Sequence, residues 1–239
     1  MTTLEERLLN MRWSDIYLEL LPIFEEKTAR MSPSEIRKNY QENHLTGAGA
    51  IDARKLHEID GVIIQKLPEN VHFLDISPVV PIGSSSILTR VSQKTILSTI
   101  RNLEVLADPT VVLALESLKR QVENPEKNIY LATSSRMLRL QRFAPGSDML
   151  QHFRGFSVSS AGKSDRHSHF VFSSIAEQIS FWLRSLQKLS SLEDYDIRNI
   201  SVHISDIRIM EGLIEDHLVP RESIVKWIRT KEKSPFAEF

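Results

Sequence analysis

The segment from residue 129 to residue 189 most constrains the fold, because strand-like and helical patterning follow each other within it. Three strand-like runs cover residues 129–133, 137–141 and 153–160. An amphipathic helix over 175–189 follows, with Ile175, Ile179 and Trp182 on one apolar stripe. Strands that interleave with helices indicate a mixed α/β or α+β class.

Composition excludes several classes of function. The 239 residues carry 30 Lys+Arg and 31 Asp+Glu, a net charge of −1. The chain therefore lacks the excess of basic residues that is typical of a nonspecific nucleic-acid binder. The chain contains no Cys, which excludes disulfides, thiolate metal sites and cysteine nucleophiles. No apolar run reaches the ~20 residues that cross a bilayer, and the N-terminus lacks a signal-peptide stretch. We therefore expect a cytoplasmic protein.

The N-terminal part has a different pattern from the rest. Residues 3–30 are predicted to be helical, with Pro22 expected to end or kink the helix because it lacks an N–H group. Ser32 and Pro33 begin a second helix towards Tyr40. Glycines within 46–50 indicate a loop. We predict an N-terminal helical extension over 1–50 and one domain over 51–239.

The rest of the chain yields further elements. A strand is predicted over 71–76, a helix around Ile96 and Ile100, and a helix capped by Asp108. Near the C-terminus the pattern predicts a strand over 200–204, a helix from Asp206 and another from Pro220.

The clearest polar concentration surrounds two of the predicted strands. Arg136 and Arg139 lie on the first, and His152 and Phe156 lie on the second beyond a loop. Guanidinium groups bind phosphates and carboxylates, and an aromatic ring can stack on a base. The segment is therefore either an anion-binding cradle or a solvated hairpin whose arginines pair with surface carboxylates.

Other polar residues are less informative. Arg101 and Glu104 form an i,i+3 surface pair, or else point into the same cleft as Asp108. His167 and His169 lack an identified third ligand, so we expect no metal.

Several motifs together resemble the class II aminoacyl-tRNA synthetases, and within them the histidyl-tRNA synthetases and the regulatory subunit of ATP phosphoribosyltransferase. Arg136-x-Leu138, followed by His152-x-x-x-Phe156, resembles motif 2 of that class. Asp108-Pro109-Thr110 resembles its acidic-x-Thr element. Gln141 falls where the histidyl family carries Gln. The likeness covers roughly residues 70–218.

The resemblance implies an α+β fold in which a mostly antiparallel sheet is flanked by helices, and it implies a homodimer. It also implies ligand-binding roles: Arg136 would hold a phosphate, His152 would lie near the outer phosphates, Phe156 would stack on adenine, and Asp108 and Thr110 would meet an amine. The full set of expected ligand-binding residues is Arg136, His152, Phe156, Asp108, Thr110, Arg139, Gln141, Arg101 and Glu104.

Departures from the pattern change the expected function. Leu138 stands where the family's Glu reads the adenine amino group, and Leu cannot accept that hydrogen bond. No motif 3 precedes Phe239, so we expect no complete synthetase. The hypothesis is a protein that binds an amino-acid- or nucleotide-like ligand without aminoacylation, with ATP and magnesium as candidate cofactors. The alternative is a non-catalytic regulatory subunit of a partner enzyme. Binding of tRNA is not expected.

Overall fold

The structure is a computed structural model that describes residues 3–49, 51–89, 91–141, 143, 150–164, 166–192, 195–204, 214, 220 and 222–223. The chain divides into two compact units, Met1–Ile197 and Arg198–Phe239. The first unit contains both the predicted N-terminal extension and the sheet. In the second unit, residues 198–204 form no strand, so the strand predicted over 200–204 is absent. The helix predicted from Asp206 and most of the one from Pro220 lie outside the described residues.

Seven helices and five strands are described in the first unit. The helices are α1 (Leu4–Leu9), α2 (Trp13–Ala29), α3 (Pro33–Glu42), α4 (Ala53–Ile64), α5 (Ser84–Leu88), α6 (Pro109–Glu123) and α7 (His169–Ser190). The strands are β1 (His72–Phe73), β2 (Val79–Pro81), β3 (Leu103–Val105), β4 (Ile129–Leu138) and β5 (His152–Ala161). No helix in the described part of the chain is both long enough and apolar enough to cross a membrane.

Two of the three N-terminal helices, α1 and α3, begin at capping boxes. The N-cap hydroxyls of Thr3 and Ser32 accept from the backbone N–H groups three residues on, those of Glu6 and Glu35. In return, the carboxylates of Glu6 and Glu35 accept from the backbone N–H groups of Thr3 and Ser32. Pro22, which was expected to end or kink the helix over 3–30, does not end it, because α2 continues through Pro22 to Ala29. The predicted single helix is instead two, separated by Asn10 to Arg12.

The sheet contains three strands in the order β1-β4-β5. β4 and β5 are antiparallel, whereas β1 joins β4 in parallel. The architecture is therefore a mixed helix-and-sheet fold with a small mixed sheet. The two strands predicted over 129–133 and 137–141 are one continuous strand, because Ser134, Ser135 and Arg136 are paired as regularly as their neighbours.

Helices cover both faces of the β4–β5 hairpin. On one face α6 packs Leu113 against Ile129 and Leu131. On the other face Phe181 of α7 packs against Phe156 of β5 and against α4. Because side chains alternate between the faces of a strand, odd-numbered residues of β4 face α6, and even-numbered residues face α4 and α7.

β2 and β3 form a separate two-stranded antiparallel sheet. The prediction of a helix around Ile96 and Ile100 is wrong. A short 3-10 turn over Gln93–Thr95 precedes this segment, and the chain then continues into β3. Ile96 is buried, so its apolar character reflects core packing and not helical periodicity.

Candidate functional site

Three of the predicted ligand-binding residues line one cavity. It has a volume of about 370 Å³ and opens where the β4–β5 hairpin meets the segment before α4. Arg136, Gln141 and His152 line it together with Arg154. The other lining residues are chiefly apolar: Gly49, Ile51, Leu56, Phe143, Leu150 and Phe153.

The strand register brings the basic side chains together. Arg136 lies opposite Arg154, and Leu138 lies opposite His152 in the antiparallel pair. Directly opposed residues share a face of the sheet. Two guanidinium groups and an imidazole therefore emerge on one side of the hairpin, near the ends of its strands.

His152 links Arg136 to the chain segment before α4. Arg136 Nη1 lies 2.8 Å from His152 Nδ1, and His152 Nε2 lies 2.6 Å from the carbonyl oxygen of Gly47. A guanidinium can only donate and a carbonyl oxygen can only accept, so Nδ1 accepts and Nε2–H donates. The arrangement therefore requires the neutral imidazole ring.

Arg154 is held by a carboxylate that the sequence did not suggest. Its Nη2 lies 2.8 Å from Asp60 Oδ2, and its Nε donates to Ser134 Oγ at 2.9 Å. Ser134 Oγ in turn donates to Asp60 Oδ1 at 2.8 Å. Asp60 is 9% exposed. Asp60 thus balances Arg154, whereas among the described residues Arg136 forms no ion pair with a carboxylate.

Helix α4, which brings Asp60 to the site, was missed from the sequence. Asp52 caps it by accepting from the backbone of Arg54, and Leu56, Ile59 and Ile63 follow at helical spacing. That spacing could have predicted the helix. An acidic residue beside Ile59 and Ile63 could also have indicated a buried carboxylate with a partner.

Phe156 lies on the same face as Arg136 but belongs to an aromatic cluster. Its ring stacks on Phe73 with 5.6 Å between centroids and meets Trp182 edge-on at 5.8 Å. Phe181 lies 6.2 Å away. The structure places Phe156 in the packing between β5 and α7, and Phe156 is not among the residues that line the cavity.

Asp108, Thr110 and Arg139 come together on the α6 side of the hairpin. Asp108 Oδ1 caps α6 by accepting from the backbone N–H of Thr110 at 2.9 Å and from its hydroxyl at 2.7 Å. Arg139 donates to the other oxygen of Asp108 at 3.3 Å and to the Ala107 carbonyl at 2.8 Å. These three residues form a helix cap, and none of them lines the cavity, although the Arg139 guanidinium lies 6.0 Å from the ring centre of the lining residue Phe153.

Arg101 and Glu104 do not point into a common cleft. The Arg101 guanidinium lies over the ring of Tyr17 at 4.7 Å. Glu104 is fully buried and accepts from the backbone N–H groups of Gly83 and Ser85, both at 2.8 Å. The surface pair predicted for these two residues is also wrong, because Glu104 belongs to β3 and is inaccessible.

The pKa of Glu104 reflects two opposing influences. Burial raises it, because the charged form loses its hydration, but hydrogen bonds donated by Ser85, Gln93 and Gly83 outweigh that effect. The pKa is therefore lowered, and Glu104 is a structural carboxylate that holds the turn before α5.

Within the described ranges, no group of three or more His, Asp or Glu side chains is arranged to hold a metal ion. The charged side chains on the described cavity lining are those of Arg136 and Arg154, with the imidazole of His152 beside them. The chemistry of this donor set suits oxygen atoms of an anion.

Comparisons with known proteins give structural neighbours only. No protein-family model and no curated protein matches the sequence. An ATP phosphoribosyltransferase regulatory subunit/histidyl-tRNA synthetase from Bacillus halodurans C is similar, with a TM-score of 0.42 and 14% identity over 59% of this chain. Pyrrolysyl-tRNA synthetase from Desulfitobacterium hafniense is similar with a TM-score of 0.47 and 10% identity over 72% of this chain. A second structure of that enzyme has a TM-score of 0.45 and 11% identity over 71% of this chain. This chain covers 36%, 56% and 55% of those three chains.

Proposed function

We propose that this chain binds a small amino-acid- or nucleotide-like anion in the cavity lined by Arg136, Gln141 and His152, and that it does not aminoacylate. The observation that carries the proposal is the convergence of two guanidinium groups, one imidazole and the Gln141 amide on a cavity whose other described lining residues are apolar. Small-molecule sites commonly have this composition, with apolar walls and a few converging polar groups.

Arg136 is the group that recognises the anion. Arg154 is already paired with Asp60, whereas Arg136 donates to a neutral ring nitrogen. A ligand oxygen that carries a negative charge is a stronger acceptor than that neutral nitrogen, because it adds the attraction of opposite charges to the hydrogen bond and can accept from two guanidinium N–H groups. Arg136 therefore gains most from an anionic ligand.

The apolar walls select a ligand with a flat or hydrocarbon part. Leu56, Leu150 and Phe153 line the cavity beside the basic groups, and a volume of about 370 Å³ lies within the range of small-molecule sites. Gln141 adds an amide that can both donate and accept.

ATP is one ligand that this donor set fits, because guanidinium groups bind phosphate oxygens in pairs. The described lining contributes no carboxylate, so a magnesium ion would arrive with the phosphates and be held by them. Bound ATP would supply an activated phosphate. The chain's own part would be to bind and orient that phosphate through Arg136.

The proposed lack of aminoacylation rests on Leu138. It lies opposite His152 at the end of β4, and its side chain offers no acceptor for an adenine amino group. A polar group left unpaired in a binding site costs about 1–3 kcal/mol. Binding of adenine in the register of the class II synthetases is therefore disfavoured.

Isothermal titration of the full chain tests the proposal, with ATP, AMP, inorganic phosphate and single amino acids as probes. We expect at least one probe to bind, and Arg136→Gln to weaken that binding by about tenfold or more, equivalent to about 1.4 kcal/mol. Arg101→Gln is the matched control, because Arg101 lies on Tyr17 and does not line the cavity.

Two results would contradict the proposal. If no probe binds, or if Arg101→Gln weakens binding as much as Arg136→Gln, the cavity is not the site. A pyrophosphate-exchange assay with ATP and amino acids tests the second half, and exchange above background would show that activation chemistry is present.

A further inference from the structure

The charges of the two arginines that line the cavity are balanced to different degrees. Arg154 Nη2 lies 2.8 Å from Oδ2 of Asp60, so a carboxylate of the chain already neutralises its guanidinium. Arg136 donates to the neutral ring of His152 and forms no ion pair with any carboxylate in the described part of the chain. Of these two arginines, the one with an uncompensated positive charge is therefore Arg136.

Asp60 is held in a fixed position beside the wall of the cavity. It follows Leu56 by one turn of α4, and Leu56 lines the cavity whereas Asp60 does not. Its two carboxylate oxygens lie 2.8 and 2.9 Å from Ser134 Oγ, and Asp60 is 9% exposed. Water therefore screens its negative charge less than that of a surface carboxylate, and this charge acts on any ligand that enters the cavity.

A fixed carboxylate beside an anion site opposes binding in proportion to the charge of the ligand. A ligand with one negative charge is matched by Arg136. A second charge on the same ligand would have to be met by Arg154, whose guanidinium is already bonded to Asp60 through Nη2 and to Ser134 through Nε. Since an unpaired charge is costly away from water, the second charge weakens binding.

We propose that Asp60 determines the charge specificity of the cavity: by neutralising Arg154, it makes the site favour an oxyanion with one negative charge, such as a carboxylate, over a phosphate monoester with two. Asp60 does not touch the ligand and acts through Arg154. The inference rests on the proposed function and deepens it, because it names the class of anion that binds at Arg136. Of the amino-acid-like and nucleotide-like ligands, it favours the first.

The test compares two probes that differ in charge, titrated by calorimetry into the full chain at about pH 8 and low ionic strength. Benzenesulfonate carries one negative charge, whereas phenyl phosphate carries about two at this pH because its second pKa lies near 6. Both probes place a tetrahedral group with three terminal oxygens on a phenyl ring, which suits the apolar walls of the cavity. We expect the unmodified chain to bind benzenesulfonate at least as tightly as phenyl phosphate.

Asp60→Asn removes the negative charge but keeps an oxygen that can accept from Arg154 and Ser134. We expect this variant to bind benzenesulfonate about threefold more tightly and phenyl phosphate about tenfold more tightly, because the energy of the lost repulsion is proportional to the ligand charge. Ser134→Ala is the matched control within the same network, since it removes a hydrogen bond to Arg154 without changing any charge. Glu116→Gln removes a carboxylate that pairs with Arg120 on α6, outside the described lining. Neither control should change the ratio of the two affinities.

A shift of the ratio towards phenyl phosphate in Asp60→Asn, with no such shift in the controls, supports the inference. Tighter binding of phenyl phosphate than of benzenesulfonate by the unmodified chain would overturn it, and this comparison holds even if circular dichroism shows that Asp60→Asn does not fold. An unchanged ratio in folded Asp60→Asn, or an equal shift in a control, would overturn it as well. These results leave the proposed site standing if Arg136→Gln still weakens the binding of benzenesulfonate. Binding of neither probe would remove the site itself, and the inference with it.

Discussion

The two sides of the β4–β5 hairpin carry similar residues that have different roles. On the α6 side Arg139 donates to the Asp108 carboxylate and to a backbone carbonyl, and Asp108 also caps the helix. On the cavity side Arg136 has only the His152 ring nitrogen as a partner among the described groups. Both residues carry the same charge, so the comparison separates them by how much of their hydrogen-bonding capacity the fold uses: more for Arg139 and less for Arg136, the residue proposed to bind the anion. Residues of the α6 side should therefore affect stability, and Arg136 should affect binding.

The largest effect on stability is expected at Glu104, the most completely satisfied of the predicted site residues. Glu104→Ala leaves the buried N–H group of Ser85 and the partly buried donors of Gly83 and Gln93 without their acceptor. We expect the free energy of unfolding to fall by about 3 kcal/mol, measured by urea denaturation, with no loss of probe binding by the folded variant. Glu116→Ala is the matched control, because Glu116 makes partly exposed pairs with Lys119 and Arg120, and should change stability by less than about 1 kcal/mol. Equal effects at the two positions would contradict the structural role.

The dependence of stability on pH should also show the contribution of the Glu104 carboxylate. The folded-state pKa of Glu104 lies below its ordinary value of about 4.5, because the bonds from Ser85, Gln93 and Gly83 outweigh the effect of burial. Its stabilising contribution is therefore present above the ordinary pKa and is lost as the pH falls through the lowered one. We expect the free energy of unfolding to decline below about pH 4.5, and the decline to be shallower in Glu104→Gln. An identical decline in that variant would exclude Glu104 as its source.

Replacement of Asp60 should have the next largest effect on the free energy of unfolding. Asp60 pairs with Arg154 on the cavity side as Asp108 pairs with Arg139 on the α6 side. Asp60→Ala leaves the Arg154 guanidinium and the Ser134 hydroxyl without their shared acceptor. We expect a loss of about 2 kcal/mol, less than for a wholly buried pair because the Arg154 side chain is 32% exposed. A double-mutant cycle with Arg154→Ala measures the coupling. Additive losses would show that the two side chains do not interact.

A smaller loss is expected from Asp108→Ala. The variant removes the N-cap of α6 and a partner of Arg139, and a lost N-cap costs about 1 kcal/mol. Asp108→Asn keeps an acceptor for the Thr110 backbone and should recover part of that loss, as thermal unfolding would show. Probe binding should not change in either variant. If Asp108→Ala abolished binding while remaining folded, the separation between the two sides would be wrong.

Local signals predicted much of this architecture. Asp108-Pro109 gave the start of α6, the stripe through Ile179 gave α7, and the strand pattern gave β5. Failures arose where tertiary packing decides the structure. Ile96 is apolar because it is buried. Leu138 and Arg136 belong to one long strand because β5 pairs with both.

The candidate site was also predictable only in part, because some of its contacts depend on tertiary packing. Arg136, His152 and Gln141 were selected from their order along the chain, and the structure brings them to one cavity, while their role in binding stays a prediction. The pairing of Arg154 with Asp60 could not be predicted, since Asp60 lies on α4, far from β5 in sequence, and reaches Arg154 only after α4 packs on the sheet. Nor could alternation along β5 show that Phe156, on the same face as His152, would be enclosed by Phe73 and Trp182.

The smallest effect on stability is expected at His152. A variant at this position distinguishes a residue that holds the cavity wall in place from a residue that binds the anion. His152→Phe keeps a ring of similar size but can neither accept from Arg136 nor donate to the Gly47 carbonyl. We expect the free energy of unfolding to fall by about 1 kcal/mol or less, and amide exchange in residues 43–49 to become faster because their tie to β5 is lost. Probe binding should weaken less than in Arg136→Gln, since the guanidinium remains. Unchanged exchange in residues 43–49 would show that the Gly47 contact does not hold that segment, and a loss of binding equal to that of Arg136→Gln would make the imidazole a direct ligand contact.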